Sequence, residues 1–183
     1  MHPIDRLLAE HRELRRDIDR LRAAVEDLRA RGDASLPAAL PALHPVVAMM
    51  SGPLLVHARK EDEALFPAVE GALGEADGPT AVMRREHVEI HDGARPFRET
   101  LRQLHDVEHP SIVAGGERLH RLVAEERGAA ELATTGEELV ELLEAHFQKE
   151  EDVLFPIARG LLSPEDLAAV ESRMETIERE GAR

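Results

Sequence analysis

An eleven-residue stretch occurs twice in this chain of 183 residues, as HARKEDEALFP from His57 and as HFQKEEDVLFP from His146. The copies agree at six of the eleven positions and share His, Lys, Glu, Leu, Phe and Pro. The only two lysines of the chain, Lys60 and Lys149, occupy the same place in each copy. This internal repeat constrains the fold, because two such similar segments are expected to occupy equivalent surroundings.

Apolar residues recur at spacings of three and four along most of the chain, which is typical of amphipathic helices. The pattern predicts four long helices, over residues 4–31, about 45–73, about 80–105 and about 129–161. It also predicts a connection rich in Pro and Ala, a shorter helical piece and a capped last helix, over residues 33–43, 111–127 and 163–179. No stretch alternates long enough to indicate a sheet.

These elements predict an all-α fold, an up-down four-helix bundle with an extended connection between helices 1 and 2 and an extra C-terminal helix. We expect the bundle to occupy residues 1–160 and the accessory helix to occupy residues 161–183.

Histidine and glutamate recur on the helix faces that carry the apolar stripes. His57 and Glu61 lie four residues apart, as do His146 and Glu150, and such pairs share one helix face. Burying two carboxylates without a cation is costly, and a bound metal removes that cost. The predicted metal-binding residues are His11, His57, Glu61, His87, His91, His146 and Glu150.

Simpler interpretations exist for each feature alone, since a lone histidine on an apolar stripe is often an ordinary core residue. The pair His105 and His109 has the same spacing, but Pro110 follows it, so we interpret it as a coincidence. Lys60 and Lys149 are expected to reach solvent. Each Leu-Phe-Pro is expected to pack as an apolar layer in which the proline bends its helix.

Seven ligands are too many for one zinc ion and suit two ions. Imidazole together with carboxylate favours iron, with manganese or zinc less definite. Two octahedral irons have roughly twelve coordination positions in total. The predicted imidazoles, two bridging carboxylates and one bridging oxygen would fill about eleven of them. One position would stay open for a small ligand such as O₂.

The chain resembles the hemerythrin-like, or HHE cation-binding, domains over about residues 4–157. The resemblance depends on His11, the two repeat copies and Glu86-His87-Val-Glu-Ile-His91. It implies a non-heme di-iron centre with a bridging oxo or hydroxo group, in which Glu61 and Glu150 bridge. The residues that it assigns to one iron are His87, His91 and His146, and those that it assigns to the other are His11 and His57.

The last acid of the site has two candidates. Oxygen-carrying members of the family place it five residues after its histidine, which is Glu151 here. Glu150 repeats the spacing of Glu61 and is our prediction, with Glu151 as the alternative.

The predicted function is binding of O₂ or a related small ligand, for oxygen binding, oxygen or redox sensing, or iron handling. The alternative is a di-iron oxidase or a peroxidase or catalase-like enzyme that acts on a small molecule, which we favour less. A ferritin-like oxidase needs two Glu-x-x-His motifs, and only Glu117 and His120 fit one. A metal-free helical interaction protein is the remaining alternative.

The formal net charge of −14 argues against nucleic acid and anionic membranes as partners. The absence of cysteine excludes disulfides and thiolate metal sites. The first residues lack a signal-peptide pattern, and we expect no apolar run long enough to span a membrane. The expected location is therefore the cytoplasm, and the sequence leaves protein partners and oligomeric state open.

Overall fold

The computed structural model describes residues 2–75 and 99–181 of the chain. Within these residues the structure is helical and contains no strand, so the all-α prediction is confirmed. The α-helices are α1 (Pro3–Arg31), α2 (Leu36–Ser51), α3 (Pro53–Lys60), α4 (Phe66–Glu75), α5 (His109–Ala124), α6 (Ala129–Lys149), α7 (Phe155–Leu161) and α8 (Pro164–Gly181). Three π-helical turns lie between them, at Glu61–Leu65, Gln103–Glu108 and Glu150–Leu154.

These elements join into four long helical rods. The first rod is α1, the second spans residues 36–75, the third spans residues 99–124 and the fourth spans residues 129–161. The first and third rods each pack against the second and the fourth, which gives the predicted four-helix bundle. Helix α8 packs against α1 and α3. The division of the chain at residue 160 stays a prediction.

Two helices begin or continue where the sequence analysis placed a break. Helix α2 starts at Leu36, within the expected connection, because Ala39 and Leu43 are buried in the core and anchor it. The third rod continues through His109, which was expected to end a helix because a proline follows. His109 has helical φ and ψ of −56° and −49°. Most of the helix predicted over residues 80–105 lies outside the described residues.

Each π-helical turn ends two residues before a proline. Pro67, Pro110 and Pro156 all stand at the second position of the α-helix that follows the turn. A proline cannot donate to the carbonyl four residues earlier, and its ring clashes with that carbonyl in a regular helix. A π-helical turn widens the helix just before this point and lets the rod continue. We predicted only a bend at two of these prolines.

The interior consists of two apolar clusters. One contains Leu14, Leu54, Ile112 and Phe147. The other contains residues from near the start of α1 and from within and beside the π-helical turns, together with Val170 and Met174 of α8. The candidate site residues lie in a layer between the two clusters.

Residues 36–58 carry no Asp, Glu, Lys or Arg. Among the described residues, one helical stretch within Pro3–Leu73 is therefore long and apolar enough to cross a membrane by length and composition. The expectation that no run reaches this length was wrong. The core helix of a bundle passes the same test, and Leu43 and Val46 of this stretch are core residues.

Candidate metal centre

Four imidazoles and two carboxylates converge in the layer between the apolar clusters. All six side chains are buried, and none is more than 6 % exposed. They are His11 of α1, His57 of α3, Glu61 of the first π-helical turn, His109 of α5, His146 of α6 and Glu150 of the third π-helical turn.

The donor atoms form two groups that could each hold a metal ion. The first group is His11, His57, Glu61 and Glu150, and the second is Glu61, His109, His146 and Glu150. Within each group the donor atoms lie within 4.8 Å of one another. Both carboxylates therefore belong to both groups.

Each carboxylate directs one oxygen to each group. Glu61 Oε1 lies 3.6 Å from His57 Nε2, and Glu61 Oε2 lies 3.6 Å from His109 Nε2. Glu150 Oε2 lies 3.3 Å from His11 Nε2, and Glu150 Oε1 lies 3.1 Å from His146 Nε2. This arrangement suits carboxylates that bridge two cations.

The imidazole nitrogens are paired at a distance that suits a shared ion. His11 Nε2 lies 3.0 Å from His57 Nε2, and His109 Nε2 lies 3.2 Å from His146 Nε2. Two nitrogens bound to one metal at about 2.0–2.1 Å and at a right angle are about 3 Å apart. Each pair therefore has the spacing of two ligands on one ion.

The four oxygens of Glu61 and Glu150 are buried and have no hydrogen-bond partner in the described part of the chain. A buried carboxylate without partners is strongly unfavourable. A cation bound between these oxygens and the imidazole nitrogens would remove that cost, so the donor set fits a metal.

An outer set of carboxylates contacts the opposite nitrogen of each imidazole. The Nδ1 contacts are His11 to Glu151 at 2.7 Å, His57 to Glu10 at 2.9 Å, His109 to Asp62 at 2.9 Å and His146 to Glu108 at 2.9 Å. An ionised carboxylate only accepts, so each Nδ1 donates its proton outward. When such a ring is neutral, its Nε2 directs a free lone pair into the site, and this is the tautomer that a metal ligand needs.

Two lysines hold two of these outer carboxylates. Lys60 Nζ donates to Glu10 Oε1 at 2.5 Å and also to Glu178 of α8, and Lys149 Nζ donates to Glu108. Lys60 is only 3 % exposed, so the expectation that it reaches solvent was wrong. The side chain of Glu10 is 25 % exposed, and the buried Lys60 provides a cation beside its carboxylate. The repeat thus delivers a lysine to the site as well as a histidine and a glutamate.

Two of the outer carboxylates, Glu10 and Glu108, have a pKa below the ordinary value. Burial would raise the pKa of Glu10, but hydrogen bonds from His57 and Lys60 lower the pKa below its ordinary value. The same balance, with His146 and Lys149 as donors, lowers the pKa of Glu108.

The pKa values of four inner groups, His146, His109, Glu61 and Glu150, are also shifted. Burial lowers the pKa of His146, but Glu150 and Glu108 outweigh it and raise the pKa to about 9. For His109, Asp62 and the inner carboxylates outweigh burial and raise the pKa to about 12. Burial and the charge of Glu150 raise the pKa of Glu61. The imidazoles around Glu150 outweigh its burial and hold its pKa well below its ordinary value.

The structure brings together five of the predicted site residues, His11, His57, Glu61, His146 and Glu150. His87 and His91 lie outside the described residues, so their role stays a prediction. Glu151 lies outside the inner cluster, against His11 Nδ1 and Arg15.

His109 is the residue that the sequence analysis missed. It was interpreted as a coincidence of spacing, yet it lies beside His146 and Glu61. A signal was present in the sequence, since Glu108-His109 repeats the dipeptide Glu10-His11. In both dipeptides the histidine belongs to the inner cluster and the glutamate contacts a histidine of the repeat.

A buried layer of imidazole and carboxylate donors inside four helical rods defines a cation-binding helical bundle. The family model described as Hemerythrin HHE cation binding domain matches the chain twice, over residues 2–107 and 100–181. The chain belongs to this family, which confirms the resemblance. Each match contains a Glu-His dipeptide of the cluster and one copy of the repeat. No curated protein and no solved structure matches the chain.

Proposed function

We propose that the protein holds two non-heme iron ions and that this pair binds O₂ or a related small ligand. His11 and His57 would hold one ion, His109 and His146 the other, and the carboxylates of Glu61 and Glu150 would bridge them. The observation that carries the proposal is the set of four buried, unpartnered carboxylate oxygens that face two imidazole pairs.

Iron is the metal that the donor set favours, because imidazole with carboxylate suits it, with manganese or zinc as substitutes. The described residues offer each ion two nitrogens and two oxygens. One bridging oxo or hydroxo group would add a fifth ligand to each, which leaves about one of six octahedral positions open per ion. The iron pair, when bound, would supply electrons to a ligand at such a position.

The space beside the imidazoles supports a small ligand. A cavity of about 20 Å³ touches His57, His109 and His146. Its other walls include Met50, Leu54 and Ile112, which are apolar. A cavity needs about 10–15 Å³ to hold a single water molecule, so this one has room for a diatomic molecule and not for an organic substrate.

A di-iron enzyme that consumes peroxide is the second candidate. Lys60 and Lys149 hydrogen-bond to the carboxylates that contact His57 and His146. These ammonium groups place protons close to the centre, and peroxide reduction consumes protons. The availability of protons near the centre therefore does not separate the two candidates.

The test is metal analysis followed by spectroscopy. We expect two irons per chain after anaerobic reconstitution with Fe(II), and a charge-transfer band that appears with O₂ and disappears when O₂ is removed. Turnover of hydrogen peroxide, with a band that decays irreversibly, would favour the enzyme. A ratio at or below about one metal per chain would contradict the di-iron centre. Because metal binding and folding are linked in such sites, the ratio is measured on folded, reconstituted protein.

A further inference from the structure

The small cavity beside the imidazoles is separated from two larger surface hollows by a thin wall. One hollow, of about 710 Å³, is lined in part by Asp62, His105 and Pro110. The other, of about 260 Å³, is lined in part by Val47 and His120. Both lie between the second and third rods, on the same side of the bundle as the cavity.

Two side chains line the cavity and both hollows. They are Leu55 of α3 and Val113 of α5. Leu55 is 36 % exposed and Val113 is 38 % exposed, so each has one face toward water and one toward the cavity. Met50 lines the cavity and the smaller hollow, and Ala58 and His109 line the cavity and the larger one. Leu55 and Val113 are therefore the two side chains of the wall that face all three spaces.

We propose that Leu55 and Val113 form a gate through which the small ligand reaches the metal centre and which excludes larger molecules. The inference rests on the proposed function, because it assigns the route by which that ligand enters. We call these two residues the access gate.

The contrast between the gate and the other cavity walls supports this assignment. Met50, Leu54 and Ile112 are at most 5 % exposed and belong to the core, so moving them would disturb the packing of several helices. Exposed side chains change rotamer on the picosecond to nanosecond scale. Leu55 and Val113 can therefore open a path without movement of the helix backbones.

The chemistry of the route indicates the class of ligand. The gate and the three core walls are hydrocarbon or thioether, so a charged ligand would lose hydration without compensation along the path. The hollow beside Glu10 and Lys60 is lined instead by charged groups, and Lys60 is paired there with Glu10 and Glu178. A small neutral molecule such as O₂ or nitric oxide fits the apolar route.

Stopped-flow kinetics of O₂ and nitric oxide with the iron-loaded protein test the gate. We expect Val113→Phe and Leu55→Phe to slow association and dissociation together by about tenfold, and Val113→Ala to accelerate both. The affinity should stay within about twofold, because a gate changes the barrier and not the bound state. Val107→Phe is the matched control, since Val107 is 48 % exposed and does not line the cavity.

A second readout does not require iron to bind O₂. In zinc-loaded protein under O₂ pressure, paramagnetic relaxation of the Ile112 and Met50 methyl groups reports O₂ inside the cavity. We expect this relaxation to fall in Val113→Phe and to remain in Val107→Phe. Metal content and melting temperature, measured for each variant, show whether the fold is intact.

The two experiments separate failure of the gate from failure of the proposed function. Reversible O₂ binding at rates that are equal in Val113→Phe, Val113→Ala and Val107→Phe would overturn the gate and leave the function intact. An iron-loaded protein that binds neither gas would overturn the function. In that case the methyl relaxation decides. Relaxation that is lost in Val113→Phe but kept in Val107→Phe would support the gate, and equal relaxation in these two variants would overturn it.

Discussion

Glu150 and Glu151 are neighbours in the sequence, yet they face different parts of the site. Successive residues of a helical segment point about 100° apart, so only one of the two can point into the layer of imidazoles. Glu150 is fully buried between His11 and His146, whereas Glu151 accepts hydrogen bonds from Arg15 and from His11 Nδ1. The spacing of Glu61 favoured Glu150 at the sequence level, and the geometry supports the same choice.

Glutamine substitution at these two positions tests the choice. We expect Glu150→Gln to lose both irons, because the side chain shared by the two ions would lose its charge and one of the two oxygens with which it bridges them. Glu151→Gln should retain two irons per chain with an affinity about 10–100-fold lower, the usual effect of losing an outer partner of a metal-bound histidine. Metal analysis after dialysis against a graded chelator measures both. Retention of iron in Glu150→Gln together with its loss in Glu151→Gln would reverse the assignment.

His105 and His109 provide a second matched pair. The side chain of His105 is 54 % exposed and contacts Asp106, whereas His109 lies in the cluster. We expect His109→Ala to lose at least one iron per chain and His105→Ala to keep two, as measured by metal analysis and by the melting temperature of the reconstituted proteins. Full iron content in His109→Ala would show that another residue, such as His87 or His91, supplies the ligand.

At the scale of elements, the sequence predicted the rods that carry the repeat and placed a break inside the third rod, where the helix continues through His109. The apolar stripes that contain His57 and His146 have regular spacing, so their helices were clear. The third rod contains Pro110, which ordinarily marks a helix end. The π-helical turn before Pro110 lets the helix continue past this proline. The presence of the turn depends on packing within the bundle, which local spacing does not reveal.

The approach of α1 and α6 requires a glycine. A Cβ atom at Gly136 of α6 would lie 2.5 Å from Val25 Cγ2 and 3.1 Å from Leu21 Cδ1, and both side chains belong to the core. A larger residue here would separate the first and fourth rods, which carry His11 and His146.

Alanine substitution measures this constraint. Gly136→Ala should lower the free energy of unfolding by about 1–3 kcal/mol, the usual cost of overpacking a core. Gly160→Ala in α7 is the control, because nothing lies within 4 Å of the added methyl group. The control should be neutral or stabilising by about 0.5–1 kcal/mol, since alanine favours a helix over glycine. Urea unfolding of the metal-loaded proteins gives both values, and equal effects would contradict the close approach.

At the scale of the whole molecule, the site is built from two halves that correspond to the two family matches. Each half supplies both histidines of one donor group, and it also supplies one of the two carboxylates that the donor groups share. The outer carboxylates also cross between halves, since Asp62 contacts His109 and Glu151 contacts His11. Helical spacing predicted the inner residues of the repeat, but the outer contacts join different rods and follow only from their packing.

Removal of the metals should make stability depend on pH in a specific way. In the metal-free protein, protonated His146 pairs with Glu150, and its pKa is raised from an ordinary value of 6.5 to about 9. A group whose pKa is higher in the folded state stabilises the fold fully below the unfolded value, and this contribution is lost as pH rises through the folded value. We therefore expect the metal-free protein to lose about 2–3 kcal/mol of stability between pH 6.5 and pH 9.5.

The metal-loaded protein should behave differently over the same range. Protons compete with a metal for the imidazole nitrogens, so raising the pH favours the metal-bound state and should leave its stability level or higher. Urea unfolding of both forms at pH 6.5, 8 and 9.5 measures the divergence. His146→Gln, studied without metal, is the control, and its decline with pH should be smaller because the protonated partner of Glu150 is gone. A metal-free protein as stable at pH 9.5 as at pH 6.5 would contradict the prediction. That result would mean that the buried carboxylates are not stabilised by protonated imidazoles when metal is removed.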